Sequence, residues 1–180
     1  MTKKYGIIYA DPPWQYDDPA NAGKRGAVHK YPVMDNRSIE ELPVGSLADD
    51  DCILFLWATF PKLHEALHVI DAWGFTYKTV GFNWVKRNKK TPSWFWGMGR
   101  WTRSNSEVCL IATKGKPKRI SAGVHSVVDT AREQHSKKPE IVRDKIVELV
   151  GDLPRVELFA RDRTPGWDVW GNEVESDLVL

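Results

Sequence analysis

Five short apolar runs constrain the fold of this chain more than any other feature. They lie at residues 5–10, 52–58, 79–85, 107–113 and 155–160. The first two, YGIIYA and CILFLWA, are almost continuously apolar. Runs of this length without polar alternation are typical of strands that are buried on both faces of a parallel sheet. The sequence therefore predicts a sheet with covering elements on each face.

Two amphipathic helices are predicted between these strands. The first begins near Pro61 and ends before Gly74, and the second begins near Pro139 and ends at Gly151. Each has an apolar stripe at helical spacing: Leu63, Ala66, Leu67 and Ile70 in the first, and Val142, Ile146, Leu149 and Val150 in the second. Strands that alternate with such helices predict a Rossmann-like, doubly wound α/β sheet, mostly parallel, with helices on both faces.

Length and composition favour one domain over residues 1–180. With 42% hydrophobic residues, a chain of this size can bury a core without disulfides or metals. We expect a cytoplasmic protein, because the sequence has no secretory signal pattern and no apolar run long enough to span a bilayer. Cys52 and Cys109 lie singly in apolar runs and are expected to be reduced core residues.

The segment from 86 to 106 combines cations with aromatic rings. No acidic residue occurs between Asp71 and Glu107. The segment's cations are Lys86, Arg87, Lys89, Lys90, Arg100 and Arg103, and its aromatic residues are Trp94, Phe95, Trp96 and Trp101. This mixture is typical of surfaces that bind nucleic acid, and we favour that interpretation over a lid that covers the core.

The tetrapeptide Asp11-Pro12-Pro13-Trp14 directly follows the first apolar run. It is therefore expected at the carboxyl end of a central strand, where open α/β sheets bind ligands. The simpler alternative is a turn without further function, because proline fixes φ and aspartate favours turns.

This tetrapeptide and three other segments resemble one known family. The others are Leu54–Trp57, Ser106–Leu110 and the stretch from His135 to Glu173, which contains HSKKPE, ELFAR and GWDVWGNE. Together they resemble the MT-A70 family of S-adenosylmethionine-dependent N6-adenine methyltransferases. In that family, as here, the catalytic tetrapeptide precedes the cofactor-binding half, which is a permuted order among methyltransferases.

The resemblance implies that residues 11–14 are catalytic. The Asp11 carboxylate and the Pro12 carbonyl would accept hydrogen bonds from the adenine amine and stabilise the charge that develops on its nitrogen. Pro12 and Pro13 would hold that carbonyl in direction. Trp14 would stack on the base, and the acceptor pocket would also include Tyr31 and Glu107.

The cofactor contacts also follow from the resemblance. Asp11 would border S-adenosylmethionine, Lys138 would contact its methionine carboxylate, and Phe159 would pack on its adenine. The residues implied for the ribose and its surroundings are Arg161, Asn172 and Glu173. The F-x-G-x-G loop of the broader amino-methyltransferases is absent, and Phe159-Ala160-Arg161 occupies its place.

Two rival hypotheses come from other features. The segment His64-Glu65-Ala66-Leu67-His68 matches the H-E-x-x-H pattern of zinc peptidases. We expect no metal there, because both histidines lie off the apolar stripe on the flank that faces solvent. The second rival is a nucleic-acid-binding subunit without catalysis, which the intact tetrapeptide, Lys138 and Asn172 disfavour. Whether His135 lines the site is left open.

DNA is the expected substrate, and RNA is the alternative. No sequence feature indicates recognition of a 2′-hydroxyl, and the sequence shows no appended RNA-binding module. The chain is short for a separate target-recognition domain, so specificity is expected to be low or to come from a second subunit. A homodimer and a second methyltransferase-like subunit both stay open.

Overall fold

Seven strands form one sheet in the computed structural model, which describes residues 3–16, 33–133 and 137–180. The strands are β1 Tyr5–Ala10, β2 Ala48–Ala58, β3 Thr76–Arg87, β4 Glu107–Lys114, β5 Val127–Ala131, β6 Arg155–Leu158 and β7 Asp168–Trp170. Their order is β5-β3-β4-β2-β1-β6-β7. Every pairing is parallel except those of β4, which runs against both of its neighbours.

The helices of the described ranges are α1 Asn36–Glu40, α2 Leu63–Ala72 and α3 Ile141–Val150. Short 3₁₀ turns occur at Val44–Ser46 and Phe60–Lys62. The second of these turns explains why α2 begins at Leu63 and not at Pro61. The predicted α/β fold and its five strands are confirmed, whereas β5, β7 and α1 carry too few apolar residues to give a sequence signal.

Each face of the sheet has its own core. Along β1, Ile8 and Ala10 face the side that α1 and α2 cover, whereas Ile7 and Tyr9 face α3. All six residues of β1 are buried. The strand reads as a continuous apolar run because both of its faces are covered.

The tryptophans that were expected in the core are confirmed there. Trp57, Trp73 and Trp84 are all buried. The indole N–H of Trp57 donates to the hydroxyl of Tyr9 at 2.7 Å, and that of Trp73 donates to the carbonyl of Ile39 at 2.9 Å. Cys52 and Cys109 are buried free thiols, as predicted.

The described helices are short. Both α2 and α3 have 10 residues, whereas a helix needs about 20 to cross a bilayer. Over residues 3–16, 33–133 and 137–180, no helix combines the length and the apolar character of a membrane span.

The two isoleucines of α3 test how the core depends on this helix. Ile146 is fully buried, whereas Ile141 on the same helix is 46% exposed. We expect Ile146→Ala to lower the free energy of unfolding by about 2 to 5 kcal/mol, because it leaves a cavity against the sheet. Ile141→Ala should change it by less than about 0.5 kcal/mol. Urea denaturation measures both, and equal effects would contradict the assignment of α3 to the core.

Candidate active site

Four charged side chains meet at one edge of the sheet. Asp11 directly follows β1, Lys86 lies near the end of β3, Glu107 begins β4, and Lys138 precedes α3. Because β4 runs against its neighbours, its first residue lies at the same edge as the last residues of β1 and β3. The reversal of β4 therefore brings Glu107 to the edge where an open α/β sheet binds its ligands.

These four residues form a chain of alternating charge. Lys86 Nζ lies 2.9 Å from Glu107 Oε1, and Lys138 Nζ lies 3.0 Å from Glu107 Oε2. The Lys138 ammonium is also 3.0 Å from Asp11 Oδ2. Strand β2 separates β4 from β1, and Lys138 crosses this gap with Nζ 5.5 Å from the centre of the Trp57 ring. One ammonium thus joins the Glu107 carboxylate on β4 to the Asp11 carboxylate that follows β1.

The charge chain shifts the acidity of both carboxylates. Burial raises the pKa of Asp11 above its usual value, and Lys138 opposes this shift without cancelling it. Burial would also raise the pKa of Glu107, but Lys138 and Lys86 hold it below its usual value. Burial disfavours the charged form of Lys138, and its two carboxylates nevertheless raise its pKa. The pairing therefore favours the charged forms of Glu107 and Lys138.

The turn after β1 is tied to its surroundings by hydrogen bonds. The backbone N–H of Trp14 donates to the Pro12 carbonyl at 2.9 Å, and that of Met34 donates to the Pro13 carbonyl at 3.0 Å. The indole N–H of Trp14 donates to the carbonyl of Trp57 at 3.1 Å. These contacts fix the direction of the Pro12 carbonyl, which keeps a second lone pair for another donor.

The environment of Trp14 differs from the predicted one. Its side chain packs in the core on the α1 and α2 face, and the residue is only 4% exposed. A ring buried to this extent offers no open face to a base. The predicted stacking role is therefore corrected, and Trp14 instead anchors the turn that carries Asp11.

An open cleft lies beside Asp11. It lies outside the ends of β1 and β6, where the order of the strands reverses, as ligand clefts of doubly wound sheets do. The residues that line it are Tyr9, Asp11, Lys137, Lys138, Arg143, Glu157, Phe159, Arg161 and Asp162.

The pair Arg143 and Glu157 supports one wall of this cleft and was missed in the sequence. Nε and Nη2 of Arg143 donate to the Glu157 carboxylate, at 2.7 and 2.6 Å, and Glu157 is buried. Burial raises the pKa of Glu157 in spite of this partner. A charged residue within the apolar strand VELF was the available signal, because buried charges need a partner.

Three of the five cofactor residues predicted in the C-terminal half lie close together. Phe159 has a φ of 61°, which is unusual for a bulky residue, and its ring meets Trp170 edge-on at 5.3 Å. Arg161 Nε lies 3.2 Å from Glu173 Oε1. A Cβ atom at Gly171 would overlap the Ala160 carbonyl, so glycine permits this close approach. Asn172 is next in sequence and is exposed.

Two of the cations predicted to bind nucleic acid are paired with carboxylates. Lys86 contacts Glu107, and both Nε and Nη2 of Arg87 contact the carboxylate of Asp129, at 2.5 and 2.6 Å. Arg87 also stacks on Trp94, 4.3 Å from the centre of its ring. Both cations thus have carboxylate partners from distant strands, and their direct contact with phosphates stays a prediction.

The remainder of this segment presents rings and cations to solvent. Trp101 is 99% exposed, and Trp94 and Trp96 are also exposed. Lys89, Lys90, Arg100 and Arg103 are exposed too. Arg103 donates to the backbone carbonyls of Trp96 and Gly97, so this cation also shapes the loop.

Comparison with known proteins identifies the family. The MT-A70 family model matches residues 5–173. The chain belongs to the MT-A70 family. The predicted resemblance is confirmed, and the match includes both the turn after β1 and the C-terminal half.

The relatives differ greatly in length. The chain is 38% identical to the type II methyltransferase M.MunI of a Mycoplasma species, over 98% of this chain and 81% of that protein. It is 27% identical to an N(6)-adenosine-methyltransferase MT-A70-like protein of Drosophila melanogaster, over 96% of this chain but only 27% of the relative. Human N(6)-adenine-specific methyltransferase METTL4 is also 27% identical, and the match covers 38% of its length.

The remaining predictions concern single residues. Tyr31 and His135 lie outside the described residues. His64 and His68 are on the exposed flank of α2 with ring centres 4.3 Å apart, as predicted. Over the ranges that the structure describes, no three metal-ligating side chains are grouped to hold an ion.

The free energy of unfolding at acidic pH tests whether Glu107 is paired with Lys86 and Lys138. Because the pKa of Glu107 lies below its ordinary 4.5 in the folded state, this carboxylate stabilises the fold above that pH. Glu107→Gln should lower the free energy of unfolding at neutral pH, and the deficit should shrink as pH falls below about 4.5, where Glu107 becomes protonated. Urea titrations across pH measure this. Glu148→Gln, on the exposed face of α3, is the control, and a deficit independent of pH would refute the charge pairing.

Proposed function

We propose that this chain transfers the methyl group of S-adenosylmethionine to the N6 amine of adenine in DNA. The observation that carries the proposal is the position of the Asp11 carboxylate. It lies at the carboxyl end of β1, next to the fixed Pro12 carbonyl and on the wall of the cleft. Two acceptors in consecutive residues match an amine with two hydrogens.

The chemistry requires an acceptor because the adenine amine is a poor nucleophile. Its lone pair is delocalised into the ring, and attack on a methyl group leaves a positive charge on nitrogen. Asp11 and the Pro12 carbonyl stabilise that charge as it develops. Since burial raises the pKa of Asp11, this carboxylate accepts a proton more readily than an exposed aspartate, and it can take the proton that the nitrogen loses.

The residues around the cleft fit the methyl donor. When bound, S-adenosylmethionine supplies an electrophilic methyl group on a sulfonium sulfur. Lys138, which lines the cleft, would be the cation for its carboxylate, and the Phe159 ring would be the apolar surface for its adenine. Arg161 lines the cleft, and Glu173 lies against it with oxygens that suit ribose hydroxyls. Asn172 is exposed beside them.

The share of each relative's length that this chain covers favours DNA over RNA as the substrate. The chain covers 81% of the type II methyltransferase M.MunI, but only 27% of the Drosophila protein, which is named for adenosine. Whatever the longer proteins add lies outside the matched region. The nucleic acid would bind at the exposed cations and rings between residues 89 and 103.

Removal of the Asp11 carboxylate tests the proposed chemistry. Asp11→Ala should lower the rate of methyl transfer by more than tenfold, which corresponds to about 1.4 kcal/mol of barrier or more. The methylated nucleosides are quantified by mass after incubation with S-adenosylmethionine and DNA. Asp71→Ala, on the exposed end of α2, is the control and should keep the wild-type rate. A folded Asp11→Ala protein with more than a tenth of that rate would contradict the role of Asp11.

The salt dependence of DNA binding tests the loop. Lys89 and Lys90 are exposed, so alanine at both should make the slope of log affinity against log salt shallower by about 0.9 for each lost phosphate contact. Trp96→Ala should instead cost about 1 to 3 kcal/mol of binding with little change in slope, because rings stack on bases. Lys78→Ala, on the exposed part of β3, is the control. An unchanged slope for the double variant would favour a lid over the core.

A further inference from the structure

Lys86 has no part in the chemistry above, yet it is held more firmly than a phosphate-binding lysine would need. Its side chain is 15% exposed, and Nζ lies 4.9 Å from the centre of the Trp84 ring as well as 2.9 Å from Glu107. A cation that is already paired and packed on an aromatic face gains little from a phosphate in solvent.

The backbone of Lys86 is also fixed. The Asn105 side chain accepts from the Lys86 N–H at 2.8 Å and donates to the Lys86 carbonyl at 2.9 Å. The backbone N–H of Phe95 donates to that same carbonyl. Both polar groups of the Lys86 backbone are thus satisfied, and the ammonium is aimed at Glu107 by a rigid support.

The two oxygens of Glu107 have different partners. Lys86 contacts Oε1, and Lys138 contacts Oε2. Lys86 therefore fixes the rotation of the carboxylate so that one oxygen only faces Lys138. That arrangement leaves the Lys138 ammonium shared between Glu107 and Asp11, at 3.0 Å from each.

We infer that Lys86 is a positioning residue for Asp11, acting through Glu107 and Lys138. The inference rests on the proposed methyl transfer. Without Lys86, both oxygens of Glu107 are available to Lys138, which moves toward Glu107 and away from Asp11. The Asp11 carboxylate then loses its fixed partner, and its direction toward the amine is lost with it.

The kinetic test compares Lys86→Met with the wild type. Loss of position at the reacting group should lower kcat by about tenfold to a hundredfold. The KM for DNA and the salt slope of DNA binding should stay unchanged. Lys86→Arg should recover most of kcat, because a guanidinium can also hold Glu107. Lys78→Met, on the same strand but exposed, should match the wild type in every measurement.

A double-mutant cycle tests whether Lys86 acts through Glu107. In a Glu107→Gln protein the charge that Lys86 holds is absent, so adding Lys86→Met should lower kcat little further. Since this double variant leaves no unpaired carboxylate beside β3, it also serves if Lys86→Met alone fails to fold. If Lys86→Met lowered kcat by the same factor in the Glu107→Gln protein as in the wild type, the inference would be overturned.

Carboxyl NMR titration gives a readout that does not depend on activity. Glu107 faces Lys86 and Lys138, whereas Asp11 faces Lys138, Glu107, Arg161 and the Cys109 thiol. Lys86→Met should raise the pKa of both carboxylates, and an unchanged Asp11 titration would overturn the inference. An inactive wild type in which both still shift would refute the proposed function alone. An active Lys86→Met with normal kcat and a shallower salt slope would make Lys86 a phosphate contact.

Discussion

The alternating charges from Lys86 through Glu107 and Lys138 to Asp11 are the interaction on which the rest of the site depends. Charges removed from water are costly unless each has a partner in good geometry, and here each contact is 2.9 or 3.0 Å long. This compensation requires β1, β3, β4 and the segment before α3 to keep their relative positions. The reversed direction of β4 is part of the requirement, because a parallel strand would begin at the opposite edge of the sheet.

The same row of charged side chains links the proposed acceptor site to the proposed methyl-donor site. Lys138 contacts Asp11, which would accept from the adenine amine, and lines the cleft proposed for the methyl donor. The buried ring of Trp14 and its bond to Trp57 hold the turn between them. In the proposed reaction, the Lys138 ammonium would therefore serve both substrates. The site is built around one shared ammonium, and the fold supplies its support.

Local sequence patterns predicted much of the fold and part of the site. Buried strands and helix stripes depend on neighbouring residues, so both could be found along the chain. The direction of β4 could not, because a buried run has the same composition in parallel and antiparallel strands. The partners of Lys86 and Arg87, which are Glu107 and Asp129, lie 21 and 42 residues away. The burial of Trp14 was also missed, because an aromatic residue after a strand suits the core and a binding surface equally.

Identification of the product tests the central claim most directly. The wild-type protein is incubated with S-adenosylmethionine and an equal mixture of DNA and RNA of the same base sequence. The nucleic acids are then digested, and the nucleosides are separated and identified by mass spectrometry. The account predicts N6-methyldeoxyadenosine from the DNA, with little methylated adenosine from the RNA. A methyl group on cytosine, or on adenosine of the RNA alone, would contradict it.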